Sequence, residues 1–140
     1  MRSIEKEIVI DAPAEKVWQA LTDFPAHGSW DPMLESIAGE KRVGAEIAVK
    51  FRNGMSFRPK ITELKESTVF EWLGKLGLPF IFSGRHRFQL EPAEPGKTRL
   101  SHSEKFTGIL VPFMGKVFTD TEKSFADFNE ALKTHVESGG

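Results

Sequence analysis

An α+β fold, in which one long C-terminal helix covers an antiparallel sheet, is expected from three features of the sequence. An alternating segment precedes a helix start at Asp11-Ala12-Pro13. Strand-like segments punctuated by turn residues fill the middle of the chain. From residue 113 onward, apolar residues recur at three- or four-residue steps. The 140 residues are long enough to bury a real core, and they show no repeat, linker or low-complexity tract, so one domain over 1–140 is expected.

Each element has its own signal. Residues 3–10 alternate, with Ile4, Ile8 and Ile10 on one side, and form the first strand. Pro13 suits a first helical turn because its missing N–H would have no partner there, and Glu15 favours the positive end of the helix. Val17, Trp18 and Leu21 make the buried stripe of that helix. The segment from Phe24 to Pro32, broken by prolines and Gly28, is read as a second short helix or wrapped loop anchored by Phe24 and Trp30. Strands are expected over 33–38 and 45–51, then over 55–64 after Asn53-Gly54, a hairpin signal because both residues accept positive φ. Pro59 cannot donate to a ladder, so a bulge or unpaired stretch is expected there. Further strands follow over 68–73, 80–90 and 97–106, with a loop over 74–79. A final helix over 113–136 would be about 36 Å long. Phe113, Val117, Phe125, Phe128, Leu132 and Val136 form its apolar stripe.

Composition excludes several classes of function. The formal net charge is −1, which gives no electrostatic reason to expect nucleic acid. The absence of cysteine rules out disulfides, a thiolate zinc site and a cysteine nucleophile. No apolar run approaches the roughly 20 residues of a membrane span. Residues 1–6 lack the apolar stretch of a secretion signal, so a soluble, cytoplasmic protein is expected. Twelve Phe and three Trp with no Tyr suit an unusually apolar interior.

Polar residues stand on the apolar face of the last two strands. Phe80, Phe82, Gly84, His86, Phe88 and Leu90 share one face; Leu100, His102, Glu104 and Phe106 share the facing one. His86, His102 and Glu104 therefore point inward. A turn centred near Glu94 would pair His86 with His102 and set Gly84 opposite Glu104, leaving room for the carboxylate. An unsatisfied buried polar group costs roughly 1–3 kcal/mol, so these three must pair, hold water or meet a ligand. A satisfied network that fixes register and a group that contacts a ligand are both open readings. An acid–base pair is a third, since a histidine beside a carboxylate can titrate near neutral pH. Zinc is disfavoured by the spacing, and neither metal nor cofactor is expected.

A curved sheet around one helix leaves space between them, and space lined by aromatic side chains is where small molecules bind. Trp30, Phe57, Phe70, Trp72, Phe82, Phe88, Phe106, Phe113, Val117 and Phe125 are the expected lining, with Trp30 also readable as a core anchor. His27 and His135 are expected to be exposed. Leu76 and Leu78 in one loop and Ile109, Leu110 and Val111 in another are unusually greasy. They could pack on the helix, gate a cavity, touch a membrane surface or form a homodimer contact. Arg52, Arg58, Lys60, Arg85 and Arg87 are read as a solvated basic stripe.

The chain resembles the START/Bet v 1-like (SRPBCC) superfamily, in particular its polyketide cyclase/dehydratase-like branch. The resemblance rests on the run from Ile8 to Trp18 leading into Leu21-Thr22-Asp23, and on Trp30-Asp31-Pro32. It continues in the run from Gly84 to Pro92, in residues 98–106 and in Gly108-Ile109-Leu110-Val111-Pro112. It implies a helix-grip fold: a curved seven-stranded antiparallel sheet around the long helix, with two short helices at one end. It also implies an internal site for a small hydrophobic molecule of lipid, polyketide or aromatic type. The alternative is a cyclase- or dehydratase-like enzyme using His86 or His102 with Glu104.

Overall fold

In the computed structural model, residues 1–78 and 80–139 are described. The chain runs β1 (Arg2–Ile10), α1 (Ala14–Thr22), a 3₁₀ segment (Phe24–Ser29), β2 (Leu34–Ala38), β3 (Ala48–Phe51), β4 (Ser56–Phe57) and β5 (Lys60–Lys65). It continues with β6 (Val69–Lys75), β7 (Ser83–Pro92), β8 (Thr98–Thr107), a 3₁₀ turn (Val111–Phe113) and α2 (Gly115–Glu137). This is the α+β helix-grip architecture, with eight strands rather than seven: five in the order β1-β8-β7-β6-β5 and three in the order β2-β3-β4. The extra strand has one cause. Pro59 lacks an N–H, and the expected strand over 55–64 breaks there into β4 and β5. Hydrogen bonds from Ile47 N to Pro59 O and from Ile61 N to Ala45 O still tie the chain before β3 to β5 across the gap. No described helix is long and apolar enough to cross a membrane.

Two turns depart from expectation. In the β3–β4 hairpin, Gly54 N donates to Phe51 O and only Gly54, not Asn53, takes positive φ. Between β6 and β7 the loop is longer than expected: β7 begins at Ser83, not at residue 80, and Leu76 N donates to Phe82 O. Gly77, at φ +73°, turns the chain inside this loop. Pro79, the last residue of the expected 74–79 loop, lies outside the described residues.

The β7–β8 register also differs. Lys97 N donates to Glu94 O and Gly96 takes φ +78°, which moves the turn centre one residue along the chain. The pairs are Gly84 with Phe106, His86 with Glu104, Phe88 with His102, and Leu90 with Leu100. The difference from the expected pairing is two residues, and an even shift keeps every side chain on its face. His86, Phe88, Leu90, Leu100, His102 and Phe106 are all buried on the inner face.

Helix α2 lies across this face. Phe118, Phe125, Phe128, Asn129, Leu132 and Val136 are its buried side; Phe118 takes the inward place expected of Val117, and Phe113 lies before the helix. Burying each Phe contributes roughly 1.5–3 kcal/mol. The core has two parts. A larger cluster, including Val17, Leu21, Phe70, Phe88 and Phe128, fills the end closed by α1. A smaller one of Ile4, Phe82, Phe106, Phe118 and Phe125 sits toward the other end.

Candidate functional site: an aromatic cavity with a polar wall

Alternation in β7 and β8 sends His86, His102 and Glu104 inward, where they meet α2. The three form one chain of contacts. Asn129 Nδ2 donates to Lys6 O at 3.1 Å, and Asn129 Oδ1 is 3.0 Å from His102 Nδ1. His102 Nε2 is 2.7 Å from His86 Nε2. His86 Nδ1 lies 3.3 Å from Glu104 Oε1.

Donor and acceptor chemistry fixes where the protons sit along this chain. The carbonyl of Lys6 can only accept, so the amide of Asn129 must turn its NH₂ there and its oxygen toward His102. His102 therefore carries its proton on Nδ1. Burial, with the neighbouring His86 adding to it, holds the His102 pKa well below the ordinary 6.5, against a smaller opposing push from the Asn129 hydrogen bond. His102 is neutral, its Nε2 is bare, and His86 must donate its own Nε2–H across the 2.7 Å contact. His86 Nδ1 then faces Glu104 Oε1 at 3.3 Å, within ion-pair reach when the imidazole is protonated.

The two imidazoles are held in an aromatic cage. His102 stacks on Phe125 with centroids 3.8 Å apart and planes at 9°. His86 stacks on Trp72 at 4.7 Å. This packing excludes water from the His86–His102 contact and strengthens it.

Glu104 ends the chain at a cavity of about 390 Å³ between sheet and helix. That volume falls in the range of small-molecule sites, about 300–1,000 Å³. Of the residues expected to line it, Phe57, Trp72, Phe82, Phe106, Val117 and Phe125 do, and His86 and Glu104 stand in the wall. Trp30, Phe70, Phe88, Phe113 and His102 lie outside it. Phe70 and Phe88 pack in the larger core cluster, Trp30 packs against that cluster, and His102 sits behind His86. Phe113 is 83% exposed.

Gly84 has the expected role through a different geometry. It is diagonal to Glu104, not opposite, yet a Cβ there would collide with Glu104 Oε2. The bare backbone houses the carboxylate. Among the described residues no protein donor reaches Oε2, so this oxygen is free to accept from a ligand.

Sequence reasoning missed Asn129, although a polar residue inside the apolar stripe of α2 is a readable signal. It also missed Met33, Met55 and Met114, flexible side chains in the cavity wall with no periodic signature. Two histidines differ from expectation. His27 is buried, with Nδ1 at 2.9 Å from Asp31 Oδ2 and Nε2 at 2.8 Å from Leu21 O. His135 is half-buried and stacks on Trp30 at 5.4 Å. Arg85 and Arg87 do lie on the outer face, where they hold Glu71. Burial pushes the Glu71 carboxyl up, but hydrogen bonds from Arg87, Arg85 and Thr62 outweigh it and the net direction is down.

Comparison with known proteins agrees with this architecture. Among the solved structures that resemble the chain are protein MLL2253 from Mesorhizobium loti, a START superfamily protein from Mycobacterium smegmatis, and Ara h 8.0201. MLL2253 superposes with a TM-score of 0.83 at 19% identity, covering 99% of both chains. The Mycobacterium protein gives 0.74 at 20% identity over 99% of both chains. Ara h 8.0201 gives 0.72 at 19% identity over 98% of both chains. At such identities the likeness speaks for the fold alone. No curated protein matches in sequence. The profile of one family, described as polyketide cyclase / dehydrase and lipid transport, matches residues 1–137. The chain belongs to that family and has the fold of those three structures.

Proposed function

We propose that the cavity binds a small, mainly apolar molecule whose hydroxyl group donates a hydrogen bond to Glu104. One observation carries this reading: a carboxylate oxygen over Gly84, without a protein donor among the described residues, in a largely apolar wall whose other polar side chains are Arg52, Asn53, Lys75, His86, Thr121 and Ser124. A pure hydrocarbon would strip water from that oxygen and return nothing, which is costly for a charged group. A hydroxyl replaces the lost water, and hydrogen bonds to charged groups are worth about 1.5–3 kcal/mol. Lipid, polyketide and aromatic molecules all fit this description.

The test is thermal unfolding in the presence of fatty acids, fused-ring hydrocarbons and fused-ring phenols. A ligand at a hundred times its Kd adds about 2.7 kcal/mol of stability and raises the Tm. Stabilisation by the hydroxylated compounds supports the reading. No shift with any class contradicts it.

A second reading is favoured by the 3.3 Å approach of His86 Nδ1 to Glu104 Oε1 in the cavity wall. An acid–base group at a cavity wall can move a proton to or from a bound molecule. His86 and Glu104 would do this work, while His102, out of reach of the cavity, would position His86. In D₂O the enzyme would exchange the α-hydrogens of an apolar ketone such as β-tetralone, seen by NMR. Exchange that disappears in Glu104→Gln supports catalysis; exchange at the buffer rate in the wild type leaves binding alone.

A further inference from the structure

The exposed apolar side chains are concentrated around the cavity mouth. Phe113 is 83% exposed, Phe80 62%, Ile109 61% and Leu78 59%. They come from the β6–β7 loop and the β8–α2 connection, which are joined directly: Ile109 N donates to Phe80 O at 3.0 Å and Leu110 N to Ile81 O at 3.2 Å. Met55, Leu76 and Val117 are also exposed and line the cavity as well, so the patch and the opening are continuous. Soluble proteins rarely leave a contiguous apolar patch of this kind without a partner.

Charge indicates what covers it. The segments 47–62, 72–90 and 105–119 supply these side chains and contain no acidic residue, in a chain whose net charge is −1. Arg52 and Lys75 stand at the cavity rim. Lys105 and Lys116 flank the β8–α2 connection. Among the described residues no acid lies within ion-pair distance of Lys75 or Lys105, and Lys116 is 3.8 Å from Asp120. A second copy is a poor match: a two-fold interface would press this basic collar against itself. A greasy tip inside a basic collar matches an anionic lipid surface, whose headgroups attract the lysines while the tip enters the acyl boundary.

We propose that this end of the molecule docks on anionic membranes, with Phe113, Ile109 and Leu78 inserted and the cavity mouth held against the lipid. An apolar ligand would then pass between bilayer and cavity without crossing water. The full chain is floated with vesicles of phosphatidylcholine alone and of equimolar phosphatidylcholine and phosphatidylglycerol. Binding to the mixed vesicles, weakened by salt and absent from the neutral ones, is the expected result. Substituting Phe113→Glu together with Ile109→Glu lowers the affinity at least about tenfold with the melting curve unchanged, because both residues are already in water. Replacing Lys75→Glu and Lys116→Glu lowers it several-fold. No wild-type binding to the anionic vesicles, or full binding by the Phe113/Ile109 variant, overturns the proposal. A concentration-dependent dimer that the same variant abolishes also overturns it and assigns the face to a second copy. Ligand binding is read by thermal shift without lipid, so failure of one reading is distinguishable from failure of the other.

Discussion

Two buried histidine sites in this fold use the same chemistry to opposite ends. At the closed end, His27 bonds to Asp31 Oδ2 and Leu21 O, while Asp31 Oδ1 accepts from Met33 N and Leu34 N at 2.7 and 2.9 Å. Every polar atom of that pair is satisfied by protein, and the pair clasps the Phe24–Ser29 segment to the start of β2. The His86 chain is equally well ordered from Lys6 O through Asn129 and His102, but it stops at a carboxylate whose outer oxygen faces the cavity. The proposed ligand site is thus the one where a buried histidine's chain of partners runs out before the protein does. Burial and hydrogen bonding alone do not separate the two.

The largest expected effect falls on the closed site. Asp31→Ala leaves a buried imidazole and two backbone N–H groups without their acceptor, and should cost about 3–5 kcal/mol in urea unfolding. A cost under about 1 kcal/mol would remove the clasp from the account.

Next is Asn129→Leu, which strands His102 Nδ1–H and the Lys6 carbonyl inside the core. About 2 kcal/mol of lost stability is expected, measured the same way. An unchanged midpoint would mean that His102 does not depend on this anchor.

The pH dependence sharpens the contrast further. The His102 pKa is depressed in the folded protein relative to 6.5. The unfolded chain therefore binds the proton first as the pH falls, and stability drops below about pH 6.5. The slope from this group approaches about 1.4 kcal/mol per pH unit. It is read as the difference between wild type and His102→Gln, whose curve should be flatter by that amount. Parallel curves would contradict a neutral His102.

The smallest effect on stability belongs to Gly84→Ala. The new Cβ overlaps only the flexible end of Glu104, and a strand gains from losing glycine, so the net change should stay within about 1 kcal/mol. The displaced carboxylate should nonetheless weaken ligand binding, measured by calorimetry. Unaltered affinity would show that its position is immaterial.

The contrast also explains what could be read from the sequence. Alternation in β7 and β8 identified His86, His102 and Glu104 as inward because a strand commits every second residue to one face, even when the turn is misplaced by one. The cavity wall was readable where strand alternation or the α2 stripe builds it, as at Phe57, Trp72, Phe106, Val117 and Phe125. His27 escaped because the Phe24–Ser29 segment has no period that assigns a face; its burial follows from a carboxylate four residues on, turned back by the loop. Phe113 escaped because the α2 stripe was extended backward into the Val111–Phe113 turn, where helical spacing no longer holds. Phe70 and Phe88 share the face of the wall residues but lie nearer the closed end. Depth along a strand is set by helix placement, not by alternation.

The central claim is that Glu104 offers its free oxygen to a bound hydroxyl. Calorimetry with naphthol and naphthalene, equal in shape but for that group, measures it on the wild type and on Glu104→Leu. The wild type should favour naphthol by about tenfold, equivalent to about 1.4 kcal/mol, and the variant should show no preference. Equal affinities in the wild type, or a preference that survives Glu104→Leu, would contradict the account.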